Sequence, residues 1–531
     1  MKTSHTEVKV VLIQPITLFT KSFNFKNTVI THLLKIATCL KNRLNRYPVK
    51  IEVVNLIDEE VYRPTSINEY PRHIRSLKTF FDRYNNEENL IFGISCFSSN
   101  FYISTLALAK LLRKDYPKSL ICVGGYQVNY FPEEFVFPKQ IESESIPLKL
   151  FDYIFLGEAD YVFAEVIKRN IDRGDITSQS TEECKIVQCG LVDNIEQLPF
   201  IDYSLLKIPH SPFLFVPIYF SLGCPFNCKF CGDFRNIYKP KKRWRFTSPT
   251  DGFSRLKHLI KYYSDKDIQI QIFDPLWTYP EWRLKFYNLL LKENIAQDFW
   301  AEIRIDQFSL KELDYLKNLN FTLAFGLESG DPQMLRIMNK TSHPKKYLSR
   351  FEILTSELNS AEIYVICNIL LGHPGETANS LCKTSEYIER ISKNLSNFLP
   401  SVSKYMLIPG SDIYNEQQYY QDTFQTRFYY PHYWTIPKNS QILSGMVDPS
   451  KNLTYMDIIR FMSIFIPDLE KKSINTLQRL KNRYFIFQRY LNKMIFGSRN
   501  YWKKEAVTEY NTFGAEMNPL IETKHFWRDV F

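Results

Sequence analysis

Pro217-Ile218-Tyr219-Phe220-Ser221-Leu222-Gly223-Cys224-Pro225-Phe226-Asn227-Cys228-Lys229-Phe230-Cys231-Gly232 is the stretch on which the fold turns. Its apolar first half reads as a buried strand. Three cysteines follow at C-x3-C-x2-C spacing, on a loop that small residues leave free to wrap. Three thiolates so close together bind three corners of an iron–sulfur cube. With no fourth cysteine near, the last iron stays open for a small ligand. Zinc is the rival metal, but structural zinc sites close with four ligands, and no fourth Cys or His lies close by in sequence. The bland alternative, three unconnected buried thiols, makes the spacing an accident. A loop directly after a strand is where α/β barrels place their chemistry.

Working outward, further strand candidates follow at 268–273, 299–304, 322–327, 363–371 and 402–407, with amphipathic helices between them, such as 254–263 and 312–319. Six strands with intervening helices predict a partial (β/α)6 TIM-like barrel over 216–424. Toward the N-terminus, Val8–Gln14, Val49–Asn55, Leu90–Ser95, 120–123 and 153–156 alternate with helical stretches at 28–44, 72–84 and 103–113. Gly124-Gly125 and Gly157-Glu158 stand at the carboxyl ends of two of these runs. The pattern predicts an α/β fold whose residues 1–175 form a doubly wound parallel sheet, with ligand bound beyond the strand ends. Residues 176–215 read as a polar connector. Residues 425–531 read as an aromatic-rich, largely helical region with helices at 455–465 and 474–490 and a Tyr429-Tyr430-Pro431-His432-Tyr433-Trp434 cluster, read as core before pocket.

The chain has 531 residues, too many for one ordinary core. Its 44% apolar and 23% charged residues are those of a folded protein. A net charge of +10, from 67 basic and 57 acidic residues, is too dilute for a nucleic-acid footprint. The densest basic run, 239–245, would steer an acidic partner or phosphates, or is simply a solvated loop. No run of eighteen apolar residues predicts a membrane span. Ten cysteines without a secretory signal predict a reducing compartment, the cytoplasm by default.

The cysteine segment, with Phe230 just before its last cysteine, resembles the signature of the radical S-adenosylmethionine (SAM) superfamily. Later segments keep the family's order. Phe273-Asp274-Pro275 ends the second strand, where related enzymes carry an acidic residue near substrate. Trp300-Ala301-Glu302-Ile303-Arg304-Ile305-Asp306 is similar to the family's third strand, and Phe325-Gly326-Leu327-Glu328-Ser329-Gly330 with Met338-Asn339-Lys340 to its "GLES…K" block. Gly372-His373-Pro374-Gly375-Glu376-Thr377 resembles its "GxPGET" turn. The resemblance implies that Cys224, Cys228 and Cys231 hold a 4Fe–4S cluster whose open iron chelates SAM. It further implies one-electron reduction by a donor such as ferredoxin or flavodoxin, and a 5′-deoxyadenosyl radical. Glu302, Arg304, Glu328, Ser329, Gly372 and Pro374 are then expected around SAM, each with the plain alternative of a solvated or ion-paired strand end.

Residues 8–175 resemble the cobalamin-binding domain that precedes the barrel in one subclass. The matching pieces are Phe92-Gly93-Ile94-Ser95, Val123-Gly124-Gly125-Tyr126 with Pro132-Glu133-Glu134, and Asp152–Asp160, and the link Leu198-Pro199-Phe200-Ile201-Asp202-Tyr203 is similar in kind. That resemblance implies cobalamin against Gly124, Gly125, Gly157 and Glu158. One feature departs from it: none of the nine histidines has Asp two positions before it, as a D-x-H-x-x-G motif requires. The leading expectation is cobalamin-dependent methyl transfer to a carbon of a peptide or natural product. A cobalamin-free epimerase, cyclase or bond-cleaving enzyme is the alternative. An iron–sulfur scaffold or redox sensor is a third, disfavoured by the blocks at Glu328-Ser329 and 372–377. Epimerisation needs a thiol donor, and Cys367 is the tempting one. Its parity opposes that of Tyr364 and Asn368, so it reads as a buried inert thiol; Cys382, Cys184 and Cys189 are weaker candidates. The catalytic residues are otherwise unassigned.

Overall fold

Strands buried on both faces need helices on both sides, and the runs near the N-terminus are of this kind. Val8–Gln14 (β1) and Leu90–Ser95 (β3) are buried almost throughout. With Val49–Asn55 (β2), Leu120–Gly124 (β4), Tyr153–Gly157 (β5) and Lys185–Gly190 (β6) they form a parallel sheet in the order β2-β1-β3-β4-β5-β6. The strand order reverses between β1 and β3, the switch point at which such sheets bind ligands. The computed structural model describes residues 7–17, 27–59, 61–64, 67–137, 149–174, 176–178, 183–207, 211, 213–232, 244–393, 395–429, 446–466 and 469. The expected helix 474–490, most of the 429–434 aromatic cluster and most of the basic run 239–245 lie outside the described residues.

The second sheet contains Phe213–Ile218 (β7), Asp267–Ile272 (β10), Asp298–Ile303 (β11), Phe321–Glu328 (β12), Tyr364–Leu371 (β13) and Phe398–Lys404 (β14), all parallel, in the order β14-β13-β12-β11-β10-β7. It is a six-stranded barrel wall left open between β7 and β14, as expected. A short antiparallel pair, Ser221–Leu222 (β8) with Arg245–Phe246 (β9), brackets the cysteine loop.

Three strands depart from the sequence reading by more than a residue or two. Strand β6 lies inside the stretch read as connector; it is a half-exposed edge strand and lacks a buried run. Strand β7 starts four residues early, with Pro217 inside it. Strand β14 ends early and contains Pro400. Proline supplies no ladder N–H and is tolerated at sheet edges, the position of both strands.

The free edge of β7 is covered by the N-terminal half. The Phe215 N–H donates to the Asn27 carbonyl and the Val29 N–H to the Phe215 carbonyl, both at 2.9 Å. One apolar core runs from Val8, Val10 and Leu12 through Leu33, Leu34 and Ala37 on the helix Thr31–Arg43, then Tyr203 and Leu206, into Leu214 and Val216 of the barrel. The two halves therefore share a core and hold their strand ends toward one another. Within the C-terminal region, Arg427–Phe428 pairs with Val447–Asp448, and a helix over 455–466 lays Ile458 against Gly372.

Candidate active site

Alternation along the barrel strands decides which side chains reach the lumen. On β11, Phe299, Ala301 and Ile303 are buried against the helices, while Trp300 and Glu302 face inward. On β13, Ile366, Asn368 and Leu370 take the more open face, and Cys367 is fully buried on the other. Burial pushes the Cys367 thiol well above its ordinary range. Cys367 is thus a core thiol with no path to a substrate.

The cysteine loop is held by contacts that do not involve sulfur. The Lys229 N–H donates to the Met338 carbonyl (2.9 Å), the Asn339 amide to the Asn227 carbonyl (2.7 Å), and the Cys231 N–H to the Cys228 carbonyl (3.1 Å). The Lys229 ammonium pairs with Asp412 (3.3 Å) and Glu416 (3.1 Å). Phe230 stands edge-on to His373, with ring centroids 6.2 Å apart. This leaves Cys224, Cys228 and Cys231 half-buried on one loop.

Arg304 reaches the same loop. Its guanidinium stacks on Phe226 at 3.7 Å and its Nη1 lies 3.5 Å from Cys228 Sγ. Asp306 (2.8 and 3.0 Å) and the Lys340 carbonyl (2.6 Å) fix its orientation. The guanidinium is thus placed to donate to this sulfur. Among the described residues no three Cys, His, Asp or Glu side chains close on one point as ligands of a single metal ion; three thiolates on separate irons have no need to. The donor set fits an iron–sulfur cube with one open corner.

Beside Arg304, Lys340 is buried and pairs with Glu328 at 2.8 Å. Burial works against its charge, but Glu328 outweighs burial and holds its pKa above the ordinary lysine range. The β12–β13 register shifts between Gly326 and Glu328, and Glu328 takes a φ of +70°. A Cβ on residue 326 would lie 2.5 Å from Glu328 Oε1 and 2.7 Å from Lys340 Nζ, so glycine makes room for the ion pair. Ser329 turns away from the lumen, bonded to Thr384 Oγ1 at 3.0 Å and accepting from the Asp331 N–H at 3.1 Å. In the Gly372–Thr377 turn, Glu376 accepts from the Gly372 N–H at 2.5 Å, and burial lifts its carboxyl to about 8. His373 is buried with its Nδ1 on the Pro374 carbonyl (2.8 Å), and burial depresses its pKa to about 4.

Asp274, at the end of β10, accepts from the Phe220 N–H (2.8 Å) and contacts Ser221 Oγ (2.8 Å), which also lies 2.9 Å from the Leu276 carbonyl. A hydroxyl carries one proton and a carbonyl none. Both contacts of Ser221 are therefore satisfied only when Asp274 carries a proton of its own. Burial raises its pKa from 3.8 to about 7, in agreement. Since the folded state binds this proton more tightly than the unfolded chain, the linked stability is complete below about pH 3.8 and is lost as pH rises through about 7. Glu376 contributes with the same sign. Asp274→Asn, which keeps a neutral donor in place, is expected to flatten part of the fall in urea midpoint between pH 4 and 7. A slope identical to that of the unaltered protein would refute the assignment.

A cavity of ≈ 420 Å³ joins the two halves. Its floor is the carboxyl edge of the first sheet, with Leu12, Gly93–Ser95, Gly124, Gly125, Gly157 and Glu158, and its roof is the barrel mouth, with Tyr219, Phe273, Asp274, Trp300 and Glu302. Gly125 has φ +117°, and a Cβ there would lie 2.5 Å from the Cys96 carbonyl oxygen. Gly157 has φ +101°, and its N–H donates to Asn129 Oδ1 at 2.6 Å. Glu158 spends its carboxylate on Arg245 (2.7 Å) and on the Val192 N–H (2.6 Å), tying the halves together. Arg304, Glu328, Ser329, Gly372 and Pro374 are not among the residues that line the cavity, whereas Glu302 is. His32 and the Lys35–Asp160 pair (3.0 Å) also line it and were missed as site residues. Lys35 and His32 belong to a helix whose sequence reads only as amphipathic, and their one signal is that it follows β1 at the switch point. Among the described residues no helix is long and apolar enough to cross a membrane.

The comparisons agree with this geometry. Residues 218–388 match the radical SAM superfamily. An uncharacterized methyltransferase of Pyrococcus horikoshii is 23% identical over 320 residues, covering 58% of this chain and 66% of that protein, just under two thirds of its length. Two structures of the radical SAM methyltransferase TsrM from Kitasatospora setae superpose with TM-scores of 0.52 and 0.53. They are 13% and 14% identical and cover 77% of this chain, and 74% and 76% of theirs. One holds cobalamin and a 4Fe–4S cluster, the other tryptophan substrate and the SAM analogue aza-SAM. At this identity the likeness establishes the shared architecture of sheet, barrel and helices. A radical SAM domain works with an iron–sulfur cluster and SAM, and the thiol loop fits that cluster. Residues 218–388 are a domain of the radical SAM superfamily.

Proposed function

We propose that the chain is a cobalamin-dependent methyltransferase that adds a methyl group to a carbon of a peptide or natural-product substrate. The observation that carries this reading is the shared cavity. It opens at the β1/β3 switch point and ends under the barrel mouth, so a ligand on the sheet edge faces the barrel's chemistry. The TsrM structures, with cobalamin in a similarly built chain, support it. Gly124, Gly125 and Gly157 would let backbone approach a broad ring, with His32 and the Lys35–Asp160 pair beside it.

When bound, the cluster with SAM supplies a hydrogen-abstracting radical, and cobalamin a transferable methyl group. The chain's own part is to place and protect. Cys224, Cys228 and Cys231 would hold three irons, Arg304 would donate to the Cys228 sulfur, and the Glu328–Lys340 pair would present polar groups to SAM. Tyr219, Phe273 and Trp300 wall the cavity with aromatic surface, which keeps water from reactive species. A ferredoxin or flavodoxin would deliver the electron.

The test is anaerobic reconstitution with iron, sulfide and hydroxocobalamin, followed by desalting and cobalt analysis. One cobalt per chain is expected, and Gly124→Trp, at a cavity-lining position where an added Cβ meets nothing closer than 3.7 Å, is expected to lose it while keeping its iron. Iron without cobalt in the unaltered protein would refute the cobalamin reading and turn attention to epimerase and cyclase assays.

A further inference from the structure

The charged groups lining the cavity are almost all neutralised by partners. Lys35 pairs with Asp160 at 3.0 Å, Glu158 with Arg245 at 2.7 Å, and Arg255 with Asp251 at 2.6 Å. The Asp274 carboxyl is occupied by Phe220 and Ser221. Beyond the cavity, Arg304 is taken by Asp306 and Lys340 by Glu328.

Glu302 is the exception. Among the described residues its carboxylate makes no hydrogen bond and no ion pair, yet it projects from β11 into the cavity beside Trp300. It is open to the cavity but walled by protein. Loss of solvation, then the nearby Glu328, outweighs the attraction of Lys340 and raises its pKa. An incoming cation at this point would meet the one lining charge that, among the described residues, has no hydrogen-bonded partner, against an aromatic surface that favours a cation further.

We propose that Glu302 anchors a protonated amine of the substrate, which makes the substrate a molecule carrying an ammonium group on an aromatic or apolar body. Tyr219, Phe273 and Trp300 would take that body, and the carboxylate would fix its orientation under the barrel mouth. The inference rests on reading the cavity as the place where substrate meets the cofactors.

The experiment uses the full chain reconstituted anaerobically with iron, sulfide and hydroxocobalamin, so that cofactor contacts are already made. Binding of matched pairs is measured by ligand-observed NMR: tryptamine against 3-ethylindole, and phenethylamine against ethylbenzene. In at least one pair the amine is expected to bind about tenfold tighter, the usual size of one charge-assisted hydrogen bond. In Glu302→Gln that preference is expected to fall to within about twofold, with SAM affinity from equilibrium dialysis unchanged. No preference for the amine in either pair would overturn the proposal, and so would a preference that survives Glu302→Gln. Loss of SAM binding in the variant would assign the carboxylate to the cofactor and overturn it equally. Cobalt content of the same preparation separates failure of the cavity reading from failure of this one.

Discussion

Alanine at Cys224, Cys228 and Cys231 together is expected to abolish cluster absorbance, bound iron and formation of 5′-deoxyadenosine, while leaving the far-ultraviolet circular dichroism unchanged. The loss would be complete because each thiolate would hold a different iron, with an open corner that leaves no spare protein ligand. Any one of the three alone should be nearly as severe. The fold should survive because the loop is tied by groups other than sulfur: the Lys229 and Cys231 N–H groups, the Asn339 amide, and the Lys229 pairs with Asp412 and Glu416. Anaerobic absorbance, iron analysis and chromatography of the SAM products are the measurements. Full iron content and undiminished product in the triple variant would refute the assignment of the cluster to this loop.

Arg283→Met is expected to cost about 3–5 kcal/mol of stability, the usual result of stripping one partner from a fully buried ion pair. Arg283 and Glu312 are both 0% exposed and meet through two hydrogen bonds of 2.7 and 2.8 Å. The guanidinium also donates to the carbonyls of Trp277 (2.8 Å), Thr278 (2.9 Å) and Gln307 (2.5 Å). Glu312 in turn accepts from Tyr287 (3.1 Å) and the Ser309 N–H (2.8 Å). The pair thus joins the loop after β10 to the loop after β11, the one carrying Arg304 and Asp306. Methionine fills the space but leaves a buried carboxylate and three carbonyls without their donor. Adding Glu312→Gln should recover part of the loss, since it removes the uncompensated charge. Urea unfolding followed by circular dichroism measures both; a single variant within about 1 kcal/mol of the unaltered protein would refute the argument.

Nothing in the sequence around Arg283 announces this pair. Glu312 is 29 residues away, and at both positions a charged residue on a helix reads as a solvated face. The same holds for Glu158. It stands in a stretch that resembles a cofactor-binding turn, yet the chain brings Arg245 from 87 residues away to occupy it. Ser329, read with Glu328 as one block, separates from it because the bulge at Gly326/Glu328 turns the two side chains to different places.

What the sequence determined by itself is whatever local pattern encodes. Period-two burial and long apolar runs marked the strands, and β1, β2 and β3 match their expected bounds to the residue. Cysteine spacing marked the candidate cluster loop, and the parity of Cys367 against Asn368 marked a buried thiol. Strands β6, β7 and β14 escaped exact placement because edge strands lack the two-sided burial, and tolerate the proline, that define a central one. Only the tertiary structure decided which charges are consumed by partners. Ion pairing depends on distances between segments that the chain's own order does not specify, so the sequence presents Glu158, Glu302 and Glu328 as equals. Folding gives Glu158 to Arg245 and Glu328 to Lys340, and leaves Glu302 alone facing the cavity.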